Sequence, residues 1–232
     1  EQRERMQDFV PTEYNNIDID EEGFIYVTTS TISVEDIRSA INSRSSSDIG
    51  APVRKLNPTG DDILRRYGYF PPVGDILFRS RGYAESGNSQ FVDVCVEQYG
   101  IYTVLDKRKG RIFTYDSDGN LLYIFGGLGN RLGTFRNPVA IDIINNNYIV
   151  LDNITGYITV FEPTEYGKLI KDAIALHQQG KYDESTAKWQ EVLELNANLE
   201  LAYIGMGKAY LRKDDFKNAM KYFKLGNKRD YY

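Results

Sequence analysis

The chain has 232 residues, 41% of them hydrophobic, and a net charge of −5; this is an ordinary globular composition with room for one large domain or two modest ones. An acidic balance with pI near 5.1 argues against a general nucleic-acid binder, and no window approaches the roughly 18 consecutive apolar residues of a membrane-spanning helix. One cysteine, Cys95, and one histidine, His177, exclude an internal disulfide, multi-cysteine metal sites and paired-histidine metal motifs.

The first predicted element is IDIDEEGFIYVT (17–28), an alternating apolar run, a polar turn and a second β-rich run, which is a hairpin signature. An insertion at about 30–52 opens with Ser33-x-x-Asp36, a capping-box pattern, and continues with Ile37, Ala40 and Ile41 at helical spacing. A helix near 33–42 is therefore expected over a sheet edge, with SRSSSDIGAP as a flexible return. VRKLNPTGDDILRRYG (53–68) runs from a turn through apolar residues to Tyr-Gly, and a second insertion follows at about 71–90.

The pattern then returns. VCVEQYGIYTVLD (94–106) and IDIINNNYIVLD (141–152) are relatives of the first hairpin, and RIFTYDSDGNLLYIFG (111–126) is a relative of 53–68. Ile101 and Ile149 are 48 residues apart, close to the roughly 40–50 residues of a four-stranded propeller blade. Ile25 and Ile101 are 76 apart, the surplus lying in the two insertions. Asp118-Gly119 is expected to supply the positive φ angles of a type I′ turn. Alternation sets Ile112 and Thr114 on one sheet face and Phe113 and Tyr115 on the other. GYITVFEPT (156–164) starts a third copy, but no Asp-Gly turn or outer strand follows. The pattern becomes helical at about Pro163, a residue favoured at the first helical position.

Two units and a three-stranded remnant cannot close a ring. The expected fold is a partial β-propeller of about two to three four-stranded antiparallel blades over 1–162, followed by an α-helical array over 163–232. The repeat arithmetic predicts the C-terminal part of a larger propeller, with a strand from a missing N-terminal region completing the last blade.

From 166 onward a 34-residue period pairs Gly180 with Asp214, Tyr182 with Phe216, Ser185 with Ala219 and Trp189 with Phe223. Helices are expected over roughly 164–178, 181–195, 199–212 and 215–228. Small residues recur at the helix crossings (Ala173 and Ser185 in the first repeat, Gly207 and Ala219 in the second), and an aromatic, Trp189 or Phe223, stands four positions after the second of each. These residues resemble two tetratricopeptide (TPR) repeats, departing from the usual pattern at Asp172, Ala197 and Gly226. The segments IDIDEEGFIYV, IYTVLDKRKGRIFTYDSDGNLLYIFG and GTFRNPVAIDI resemble NHL-type propeller repeats over most of 10–161. The two in series look like a group of bacterial envelope NHL–TPR proteins. That resemblance implies a cell-envelope location, and a full-length form with a secretory signal and a membrane-anchoring tail.

Each reactive residue type has a dull explanation. His177 reads as a helix-end histidine, favourable beside the helix dipole, and Cys95, in FVDVCV, as a packed thiol. Asp18, Asp20, Asp93, Asp106, Asp142 and Asp152 stand near strand ends, where aspartate more often satisfies backbone N–H groups than binds a cation. Lys107, Arg108, Lys109 and Arg111 read as a solvated turn. The resemblance places the partner-binding groove of the helices at Ile170, Ile174, His177, Leu201, Ile204, Lys208 and Leu211. The Lys/Asn carboxylate clamp of chaperone-binding TPR proteins is missing, because Ile170, Ile174 and Gly205 stand at those positions. The expected function is a non-enzymatic scaffold that binds a protein or peptide, without metal or cofactor and without nucleic acid. The alternatives are a propeller-type metal-dependent lactonase or hydrolase, and a polysaccharide-binding module suggested by the 18 tyrosines.

Overall fold

Residues 14–29, 51–64, 74–75 and 87–228 are described in a computed structural model of the chain. Among the described residues the period-2 segments form ten strands, all antiparallel to their neighbours. β1 (Tyr14–Ile19), β2 (Ile25–Thr29) and β3 (Val53–Leu56) make a first sheet. β4 (Phe91–Val96), β5 (Tyr102–Asp106), β6 (Arg111–Tyr115) and β7 (Leu121–Gly126) make a second, and β8 (Pro138–Ile144), β9 (Asn147–Asp152) and β10 (Ile158–Phe161) a third. Each sheet is a meander whose strands pair in chain order. The helix expected near 33–42 and most of the 71–90 insertion lie outside the described residues.

Alternation gives the second sheet two packed faces. Tyr26 and Val53 of the first sheet meet Val94, Tyr102, Val104, Phe113 and Tyr115 of the second in one core. Cys95, Leu105 and Ile112, on the opposite face of the second sheet, meet Ile141, Tyr148 and Val150 of the third. Rings interlock at both seams: Tyr26 lies 5.6 Å from Tyr102, and Phe125 lies 5.2 Å from Tyr148 between centroids.

One turn expectation and one helix start are corrected. The β6–β7 connection is not a type I′ turn, since only Gly119, and not Asp118, has positive φ (80°). The Asp116 carboxylate organises it instead, accepting the Asp118 N–H at 3.0 Å and the Asn120 N–H at 2.8 Å. The two-residue turn with both φ positive occurs between β8 and β9, at Asn145 (52°) and Asn146 (65°), because asparagine tolerates the left-handed region. Pro163 also falls outside its helix, which starts at Glu165 behind an N-cap Thr164 whose hydroxyl accepts the Gly167 N–H at 3.2 Å.

The chain divides into two compact units, Glu1–Phe161 and Glu162–Tyr232. The second holds α1 (Glu165–Gln178), α2 (Tyr182–Leu195), α3 (Glu200–Arg212) and α4 (Phe216–Leu225). The 34-residue period is visible in the helix ends. Gly180 (φ 78°) and Asp214 (φ 59°) take the same left-handed post, and the next N–H reaches back five residues, from Lys181 to Leu176 and from Asp215 to Tyr210. α4 ends at Leu225, earlier than the expected 228, because Asn227 (φ 50°) repeats this device and the Lys228 N–H bonds the Phe223 carbonyl. Ser185 Oγ donates to the Ala173 carbonyl at 2.8 Å, fixing the α1–α2 crossing through its small residues. Among the described residues no helix is long and apolar enough to cross a membrane.

Candidate functional site

β1, β4 and β8 are edge strands, so alternate backbone N–H groups along each lack a ladder partner. The aspartates singled out in the sequence serve these groups. Asn16, Asp18, Asp93 and Asp142 each accept, through Oδ1, the N–H of the following residue at 2.7–2.8 Å. Val96 and Ile141 follow Cys95 and Ala140, which offer no acceptor. Their N–H groups donate across the sheet boundary instead, to Asp18 Oδ2 at 2.7 Å and to Asp93 Oδ2 at 2.6 Å. Asn16 Nδ2 also donates to Asp93 Oδ1. Asp93 therefore touches all three sheets.

Burial pushes the Asp93 carboxyl up to about 6, against the opposing pull of the Ile141 and Val94 N–H groups and Asn16. A folded-state pKa raised above the ordinary carboxylate value means that Asp93 stabilises the fold below pH about 4 and loses that contribution as pH rises to about 6. Replacing Asp93 by Asn removes the titration and turns an amide donor or a single acceptor toward two backbone N–H groups. Asp93→Asn is expected to unfold at lower urea than the wild type at every pH. The wild-type excess should shrink between pH about 4 and about 6, which parallel urea titrations across that window check.

The remaining acids are also bound to backbone. Asp106 Oδ1 accepts the Gln90 and Arg108 N–H groups, both at 2.9 Å, and Asp20 Oδ1 accepts those of Glu22 and Phe24. Asp152 takes four, with Oδ2 facing Arg136 and Asn137 and Oδ1 facing Ile154 and Thr155. Among the described residues no group of three or more His, Cys, Asp or Glu side chains is placed to hold a metal ion. Cys95 is buried, and burial first, then Glu97 and Asp93, push its thiol well above the usual range, which suppresses nucleophilicity. The basic cluster is engaged as well: Lys109 and Arg111 meet Asp75 Oδ2 at 3.1 and 2.6 Å, and Arg108 Nη1 donates to the Asn88 carbonyl at 3.0 Å.

The helices place the seven groove residues unevenly. Ile170 and Ile204 are buried. Ile174, His177, Leu201 and Lys208 are half-buried, and Leu211 is exposed. His177 packs edge-on to Tyr182 at 5.2 Å. A Cβ on Gly205 would collide with the Trp189 ring, so a clamp asparagine has no room there. The sequence reading missed the parallel rings of Tyr210 and Tyr222, 5.3 Å apart, and the Lys213–Asp183 ion pair between the two repeats; the 34-residue spacing of Lys188 and Tyr222 pointed to neither. It also missed an aliphatic face on the third sheet, where Leu151, Ile158 and Val160 are exposed. Alternation in β9 and β10 was the available signal.

Comparison with known proteins adds one family. The TPR repeat matches residues 174–214, and TPR repeats commonly mediate protein–protein interaction. No curated protein matches the chain. Among solved structures, a catalytically inactive virginiamycin B lyase from Staphylococcus aureus with quinupristin is 14% identical, with a TM-score of 0.35 over 67% of this chain and 43% of that one. The selenomethionine-substituted enzyme from the same organism gives 14%, 0.34, 68% and 44%. A streptogramin B lyase is 16% identical with a TM-score of 0.26, over 68% of this chain and 57% of that one. The chain thus spans less than two thirds of the length of these structures. What holds for this protein is antiparallel sheets followed by four helices, with a TPR repeat in the helical unit.

Proposed function

We propose that the protein is a non-enzymatic scaffold that binds a protein or peptide through the helical unit, and that its three sheets are blades of an NHL-type propeller. The TPR match over 174–214, on helices paired in chain order, carries the binding reading. Ile174, Leu201 and Leu211 supply apolar contact, and Lys208 and His177 supply polar contact at the rim. Register supports the blade reading. Asp18 pairs with Tyr26 as Asp142 pairs with Ile149, and Asp18 caps the next sheet through an oxygen whose counterpart on Asp142 points from an exposed residue. The aliphatic face of the third sheet continues the same stacking surface. The carboxylates that a propeller hydrolase would use to hold a metal are here bound to backbone N–H groups, which favours the scaffold. The location in the bacterial cell envelope rests on the NHL–TPR resemblance, and fractionation tests it.

The binding reading predicts a specific loss. Peptides selected from a random library on the whole chain should lose at least about tenfold in affinity for Leu201→Asp/Lys208→Glu, a change of about 1.4 kcal/mol or more. Unchanged Kd values, measured by fluorescence anisotropy on a variant with wild-type circular dichroism, overturn the assignment.

A further inference from the structure

We propose that the outer face of α4 is a second docking surface, for an acidic, amphipathic peptide segment. None of the groove residues lies on this helix. Lys217, Lys221 and Lys224 are exposed and follow one another at four- and three-residue spacing, and Lys228 continues the line just past the end of α4. Residues so spaced share one helix face. Exposed Phe216 (62%) and Met220 (48%) border the stripe on one side and Leu225 (53%) on the other.

The stripe is not a requirement of the repeat. Thirty-four residues earlier, at the corresponding positions of α2, stand Asp183, Ala187, Gln190 and Glu194. The face that carries two negative charges in the first repeat carries four positive ones in the second. Lys217 and Lys221, four apart, repel one another, whereas Lys224 stands in the last turn, where the helix dipole favours a cation. Asp215, the acid next to the stripe, is the N-cap of α4, accepting the Asn218 N–H at 3.1 Å and its side-chain amide at 2.6 Å, and it also feels the charges of Lys213 and Lys217.

The order of side chains around the helix selects the occupant. A helix that lies on a lipid surface puts apolar residues at the centre of its contact face and lysines at the flanks; α4 has the reverse. A nucleic acid would use the lysines and leave the three apolar borders idle. A peptide with carboxylates at helical spacing, flanked by apolar side chains, matches both the centre and the borders.

The test uses the whole chain and three probes: a synthetic Glu/Leu amphipathic peptide, polyglutamate of equal charge, and phosphatidylglycerol-containing vesicles. The amphipathic peptide is expected to bind, with affinity falling as salt rises from about 50 to about 300 mM. Lys217→Glu/Lys221→Glu should weaken it by at least about tenfold and Met220→Ser by about fivefold, while Lys168→Glu/Lys181→Glu on the first helix pair stays within about twofold. All of these positions are surface sites, and circular dichroism checks each fold. The proposal is overturned if the first double variant binds as the wild type does, if polyglutamate binds as tightly as the amphipathic peptide, if vesicles compete the peptide away, or if no probe binds. Loss of groove binding in Leu201→Asp/Lys208→Glu leaves these outcomes unchanged, so the two surfaces fail or stand separately.

Discussion

Replacing Asp152, a buried acid, by Ala is expected to cost the sheet unit about 1–3 kcal/mol. Its carboxylate accepts the N–H groups of Arg136 at 2.5 Å, Asn137 at 3.1 Å, Ile154 at 2.9 Å and Thr155 at 3.1 Å. Those four donors hold the entry to β8 and the turn that leads to β10. Alanine leaves them unmatched, and since these donors lie on exposed or half-buried residues, water recovers part of the loss. Asp152→Asn keeps one acceptor oxygen and should lose about half as much.

The same change carries a pH signature. Burial raises the Asp152 pKa, but the four N–H groups outweigh it and hold the carboxyl below its ordinary range. A lowered folded-state pKa contributes stability above the ordinary carboxylate pKa of about 4 and loses it as pH falls through the lowered value. The gap between wild type and Asp152→Ala should therefore be widest near neutrality and close in acid. The single tryptophan, Trp189, lies in α2, so its fluorescence reports the helical unit while the amide circular dichroism includes the sheets. A gap that stays constant down to pH about 2 would contradict the role given to the carboxylate.

Replacing Gly207 by Leu is expected to unfold the helical unit. A Cβ at this position of α3 would stand 2.6 Å from two carbons of the Phe223 ring. Phe223 is 1% exposed and sits in a core with Ile204 and Ala219, so it has no free space to enter. Overpacking costs about 1–3 kcal/mol for small additions and more for larger ones. Gly207→Ala regains up to about 1 kcal/mol of helix propensity and should show a net loss of only about 1–2 kcal/mol. Four helices form a small unit with little stability to lose. The leucine variant should show Trp189 emission shifted toward that of solvent-exposed indole. A folded Gly207→Leu with unshifted emission would refute the packing described here.

The helices were readable because helical periodicity and capping are local. The 34-residue spacing placed Gly180 and Asp214 at equivalent helix ends, and both take the left-handed conformation. The β-runs were readable for the same reason: Phe113 and Tyr115 face one core and Ile112 the other, as alternation requires. Turn geometry was less so, since Asp118-Gly119 has the composition of a type I′ turn. The carboxylate two residues before it, at Asp116, captures the loop N–H groups and decides otherwise. The groove was legible only as helix positions. Whether Ile170 or Ile174 reaches the surface depends on where the neighbouring helices lie.

By itself, the sequence determined the succession of hairpins and helices, the repeat lengths and the residues able to cap, because these follow from side-chain spacing along a single segment. Tertiary structure decided which acids join separate sheets, which groove positions are buried and which charges remain at the surface. The Asp93–Ile141 bond links residues 48 positions apart, and no local pattern records that the alanine before Ile141 leaves an N–H for a neighbouring sheet to satisfy.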